Sequence, residues 1–157
     1  MQLQPSVVHS TFVLERSFPK PPAKVFAAFA DPAKKRRWYA EGEGHDIQDF
    51  ASDFRVGGIE RLRYRLKPGT PVAGKVIQNE IRFQDIVPDR RIVTATVLDL
   101  EGQRILVSLV TFEFLPTEAG TDLICTHQGS YLEFPQGPGL LEAGWRGLLD
   151  SLAKELA

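Results

Sequence analysis

The chain has 157 residues, a hydrophobic fraction of 43% and a formal net charge of −1. That length suits one well-buried core and is short for two domains, and the near-neutral balance offers no basic field to draw nucleic acid or an anionic membrane surface. The lone Cys125 excludes an internal disulfide, no apolar run reaches the ~18–20 residues that span a bilayer, and the first ten residues lack the charged-then-apolar order of a secretory leader. A cytoplasmic protein is therefore expected, with one domain over residues 1–157 and residues 1–7 as a flexible N-terminus.

Residues 8–18 predict the first strand, because Phe12, Leu14, Arg16 and Phe18 share one face and Thr11, Val13, Glu15 and Ser17 the other. Pro21 and Pro22 end it. Pro22 suits the first turn of a helix, and Val25, Phe26 and Phe29 supply the apolar stripe behind it. Asp31 then N-caps a second short helix, with Pro32 in its first turn and its end near Arg37.

Strands resume over 46–50 and 54–66, the latter carrying Gly57-Gly58 as a tight turn, and residues 69–74 read as a loop. Residues 76–87 turn at Pro88-Asp89 into 92–100. Glu101-Gly102 leads into 104–115, and Ala119-Gly120 into 123–131. Such short connections require antiparallel neighbours. Alternation assigns Val110, Phe112 and Phe114 to one inward face and Leu123, Cys125, His127 and Gly129 to the next. From Pro138 onward, Leu141, Trp145, Leu148, Leu149, Leu152 and Leu156 recur at three- and four-residue steps, one face of a long helix. The fold class is thus α+β: a curved antiparallel sheet wrapped around a long C-terminal helix, with two short helices after the first strand. A ligand would occupy the space between sheet and helix.

Phe12 to Phe18 followed by Pro22, Val25, Phe26 and Phe29, then Asp31-Pro32 and Trp38-Tyr39, form a recognisable set. It continues with Phe54-Arg55-Val56-Gly57-Gly58, Ile86 to Val93, Val110 to Phe114, Gly120 to Leu123, and Gly144-Trp145. With this set the chain resembles the helix-grip, START-like superfamily known as SRPBCC over essentially its whole length. Within it, the chain is most similar to the activator of heat shock protein 90 ATPase homologue (AHSA) type, alongside polyketide-cyclase-like relatives. The resemblance implies an apolar cavity under the last helix. It does not imply one activity, since the superfamily includes lipid and hormone carriers, cyclases, stress-resistance proteins and co-chaperone domains. The separate N-terminal domain of the eukaryotic co-chaperone has no counterpart in these residues, which counts against literal ATPase activation.

Among the histidines, His127 shares a strand face with Cys125, but two further metal ligands are not visible, so no metal is expected. No cofactor is expected either, since Gly57-Gly58 lacks the Lys-Ser or Lys-Thr of a phosphate loop. His127 is instead the polar group expected to orient a ligand, and the catalytic base if the protein is an enzyme. The run Lys34 to Arg37 reads as a solvated helix end, with Trp38 and Tyr39 at a cavity rim and residues 40–44 as a lid. Arg82 with Glu113, or Arg63 with Glu80, reads as a cross-strand pair.

The expected function is binding of a small apolar or aromatic molecule by Trp38, Tyr39, Phe83, Val110, Phe112, Leu123, His127, Tyr131, Leu141, Trp145 and Leu149. The alternatives are a co-chaperone-like regulator of a heat shock protein 90 and a cyclase-like enzyme. A homodimer through an edge strand near the N-terminus is permitted but not required.

Overall fold

The structure, a computed structural model, describes residues 6–42, 45–69 and 73–157. In chain order it comprises β1 (Val7–Phe18), α1 (Pro22–Ala30), α2 (Pro32–Lys35), a π-helical turn (Arg36–Ala40), β2 (His45–Ser52), β3 (Ile59–Leu66), β4 (Val76–Val87), β5 (Arg91–Leu100), β6 (Gln103–Thr117), β7 (Gly120–Leu132) and α3 (Gly137–Glu155). The seven strands form one antiparallel sheet in the order β1-β7-β6-β5-β4-β3-β2, with β1 and β2 at its edges. This is the helix-grip arrangement.

The chain closes each hairpin with the residues the turn demands. Between β5 and β6, Glu101 and Gly102 both take positive φ, 51° and 80°, which is the mirror-image turn whose twist matches the flanking strands. Register shifts at Ile47/Asp49, Phe83/Asp85 and Leu98/Asp99 insert extra residues into the ladder. Such bulges bend a strand and raise its twist, which suits a sheet that curls around a helix.

The helices divide the concave face. Asp31 caps α2 as expected, its carboxylate accepting from Ala33 N–H at 2.9 Å. Phe26 and Phe29 of α1 pack edge-on to Phe114, and Phe29 also packs on Phe112 and Trp38. They fill one end of the grip. The far half of α3 completes that core, with Leu149 and Leu152 fully buried. Its near half, from Leu140 to Leu148, stands over open space instead. Arg37 holds Glu155 through two contacts of 2.8 and 2.9 Å, and Arg16 holds Asp150 at 2.7 Å, so both ties act on the far half of the helix.

Several expectations need correction. Val7 is paired with Leu132 inside β1, so it is not part of a flexible N-terminus, while residues 1–5 lie outside the described residues. Residues 53–58 form the connection between β2 and β3, because Gly57 and Gly58 bond to the backbone of Phe83 and Arg55. Three residues of the loop expected over 69–74, numbers 70–72, lie outside the described residues. On the outer face the partners are also exchanged. Arg61 pairs with Glu80, Arg63 bonds Gln48, and Arg91 stands opposite Glu113.

Candidate functional site

A cavity of about 580 Å³ lies between the concave face of the sheet and the near half of α3. That volume is typical of sites for small organic ligands. Leu62, Ile77, Ile81, Leu98, Leu106, Val110 and Phe112 supply apolar sheet walls, and Leu140, Leu141, Trp145 and Leu148 of α3 supply the roof. The exposed Gly144, Gly147 and Lys154 mark the side open to solvent.

Of the residues expected from sequence, Tyr39, Val110, Phe112, His127, Leu141 and Trp145 line this cavity. Trp38, Phe83, Leu123, Tyr131 and Leu149 do not, and each has a physical reason. Trp38 is a core anchor and not a rim residue: only 1% exposed, it packs on Phe29 and donates its indole N–H to Ala28 O at 2.8 Å. Leu123 pairs with Phe114 in register, at the end that α1 has filled. Phe83 is closed off by Phe54, 5.0 Å away edge-on. Tyr131 lies under the first turn of α3, so close to Gly137 that a methyl group there would meet its ring at 2.3 Å. Leu149 belongs to the buried far half of the helix.

His127 sits on β7 with its ring stacked on Phe12 at 4.7 Å, and its Nδ1 is buried without a hydrogen-bond partner. Gly129 makes room for it, since a Cβ there would lie 3.1 Å from the imidazole. Burial pulls the His127 pKa down to about 4, so the ring is neutral at physiological pH. The folded state then resists protonation where the unfolded chain, near 6.5, accepts it. Stability should therefore be unaffected by this group above pH 6.5 and fall as pH drops toward 4. The stability difference between wild type and His127→Leu, measured by urea unfolding across that window, should shift against the wild type as pH is lowered.

Residues that sequence reasoning passed over make the site polar as well as apolar. Asn79, Thr94, Thr96 and Ser108 line the floor beside His127. Thr96 and Ser108 face each other directly across β5 and β6, and Val110, one inward step from Ser108, is opposite His127. Thr94 is satisfied by Val110 O at 3.1 Å, whereas Ser108 Oγ and Asn79 Oδ1 have no partner. Asn79 donates its amide N–H to Tyr39 Oη at 2.7 Å, and burial followed by the Glu60 charge holds the Tyr39 phenol well above its ordinary pKa. Tyr39 is therefore a neutral hydroxyl at the wall.

Lys35 overturns the reading of residues 34–37 as a solvated end. Its side chain is 6% exposed, lines the cavity, and lies 2.8 Å from a Glu60 carboxylate that is wholly buried. The contact is an ion pair and not a well-aligned hydrogen bond, while the other Glu60 oxygen accepts from Ser52 at 2.9 Å. The ammonium also lies 4.7 Å from the centre of the Tyr39 ring. Of the expected lid, Ala40 is buried in the π-helical turn, and residues 43 and 44 lie outside the described residues. At the cavity edge the His45 ring lies 4.0 Å from that of Tyr64 and tilted 32° to it, its pKa lowered by burial. Cys125 is buried with its thiol pushed up to about 12, so it is held as a neutral thiol. Among the described residues no three His, Cys, Asp or Glu side chains gather in a metal-binding group, and no helix is long and apolar enough to cross a membrane.

The family model described as activator of Hsp90 ATPase homolog 1-like protein matches residues 19–157. The chain belongs to that family. Its members share the START-like, helix-grip fold seen here. The solved Mll3558 protein from Rhizobium loti is 42% identical, with 96% of this chain and 99% of that one covered and a TM-score of 0.82. An uncharacterized protein from Rhizobium leguminosarum is 34% identical over 96% of both chains, with a TM-score of 0.86. Protein CV1439 from Chromobacterium violaceum, 25% identical over 93% of this chain and 96% of its own, superposes with a TM-score of 0.77. No curated protein matches the chain.

Proposed function

We propose that this AHSA-like chain is a carrier or sensor that binds a small apolar or aromatic molecule between its sheet and α3. The observation that supports this best is the cavity of about 580 Å³, walled mostly by apolar side chains with Asn79, Thr94, Thr96, Ser108 and His127 among its lining. Trp145, against Phe112 at 5.5 Å and Tyr39 at 6.1 Å, is a built-in fluorescence reporter of that event.

A cyclase-like use of the cavity draws less support. A base with a pKa of about 4 is poorly matched to proton abstraction near neutral pH, so the His127 imidazole serves better as a hydrogen-bond partner. The family description raises a second reading, regulation of a heat shock protein 90 ATPase through the outer surface.

Native mass spectrometry of the freshly purified protein, compared with the same sample after denaturation, should reveal an additional mass that leaves on unfolding. A bare chain mass, with no Trp145 fluorescence response to any apolar or aromatic compound, would remove the binding reading. Stimulated ATP hydrolysis on addition to a heat shock protein 90 would then favour the co-chaperone one.

A further inference from the structure

Four cations follow one another at residues 34–37, and of these only Lys35 is buried. It lines the cavity, its side chain 6% exposed, with Glu60 behind it at 2.8 Å and the centre of the Tyr39 ring 4.7 Å from the ammonium. A buried ion pair adds little net stability, because desolvating both ions offsets their attraction. Such a pair at a cavity wall is better explained by the donor it holds there.

Reach separates Lys35 from other polar groups around the cavity. Asn79 Oδ1, Ser108 Oγ and His127 Nδ1 are sealed from solvent, as is Glu60 Oε2, so a guest in the cavity cannot touch them. Lys35 Nζ also lacks an aligned hydrogen bond, yet it is not sealed, and the cavity is the space it lines. An ammonium carries three N–H donors and no acceptor. The Glu60 contact occupies one of them at most and the face of the Tyr39 ring another. Since Glu60 already balances the charge, what the ammonium lacks is an acceptor and not a counter-ion. A carbonyl oxygen on an apolar body supplies one, and a hydrogen bond from a charged donor is roughly twice as strong as one between neutral groups.

We propose, resting on the binding reading above, that Lys35 is the ligand-anchoring residue of the cavity, its ammonium donating to a carbonyl oxygen of an otherwise apolar or aromatic guest. The test uses the intact protein with two probes of one ring system, naphthalene and 2-acetylnaphthalene, titrated by calorimetry at neutral pH. Acetylnaphthalene should bind about ten- to a hundredfold tighter than naphthalene, the worth of one hydrogen bond from a charged donor. Its carbonyl stretch, followed by infrared difference spectroscopy with a carbon-13 label at that carbon, should move to lower wavenumber on binding.

Lys35→Met/Glu60→Leu removes the ammonium without leaving a buried carboxylate unpaired. In that variant the affinities of the two probes should converge and the infrared shift should disappear, neither of which a merely structural ion pair would produce. Where the variant does not fold, the wild-type spectrum decides the matter. An unshifted carbonyl band in the wild type, equal wild-type affinity for the two probes, or an advantage of acetylnaphthalene that persists in the variant would overturn the anchor while leaving the cavity a binding site. Failure of both probes to bind would instead count against the binding reading beneath it.

Discussion

Replacing Glu60 by Gln is expected to lower folding stability by about 3–5 kcal/mol, and Lys35→Met by a similar amount, in chemical unfolding. Each single change leaves one member of a buried ion pair without its partner. The Lys35 ammonium and the Glu60 carboxylate are 6% and 0% exposed, so water cannot replace what is removed. The double variant Lys35→Met/Glu60→Leu removes both charges together and should recover most of the loss, because well-packed apolar residues often match or exceed a buried pair in stability. Single variants that each cost under about 1 kcal/mol would show the pair to be solvated like an ordinary surface bridge.

That pair also shows where sequence reasoning reached its limit. A run of four cations at a helix end usually is a solvated face, and three of these four residues are not buried. The signal for Lys35 was its spacing: three and four residues before Trp38 and Tyr39, it shares their side of a helical turn. Glu60 likewise alternates with Leu62 and Tyr64 on the inward face of β3. Neither pattern is informative alone, because the two residues meet only when the turn after α2 is laid against the sheet. Strand boundaries were more legible: residues 76–87 coincide with β4, since Gly and Pro turns punctuate the chain locally. Inward faces followed from alternation, and Val110, Phe112, Phe114, Leu123, Cys125 and His127 are all buried. Which inward residues line a cavity and which pack a core was not legible. That division depends on where α1 ends and how far α3 is held from the sheet. Phe112 and Phe114 both belong to the core, yet only Phe112 also reaches the cavity wall.

Glycine within α3 leads to the second large effect. Gly144 and Gly147 line the cavity, and a Cβ added to either meets nothing within 4 Å, so neither is required for close packing. Glycine inside a helix costs roughly 0.5–1 kcal/mol relative to alanine, a standing penalty at each position. Both are exposed as well as wall residues, so they lie where the cavity borders solvent. Gly144→Leu is accordingly expected to leave stability unchanged or raise it while weakening binding of a cavity probe by about ten- to a hundredfold, as a branched side chain overfills the opening. Gly139→Leu is the matched control: its Cβ also finds open space, but it is not a wall residue, so binding should be unaltered. Equal affinity in the Gly144 and Gly139 variants, measured by Trp145 fluorescence, would show that ligand does not pass or rest beneath this part of the helix. A loss confined to Gly144→Leu would mean that the near half of α3 holds back from the sheet to keep room for a guest, at the expense of its own packing.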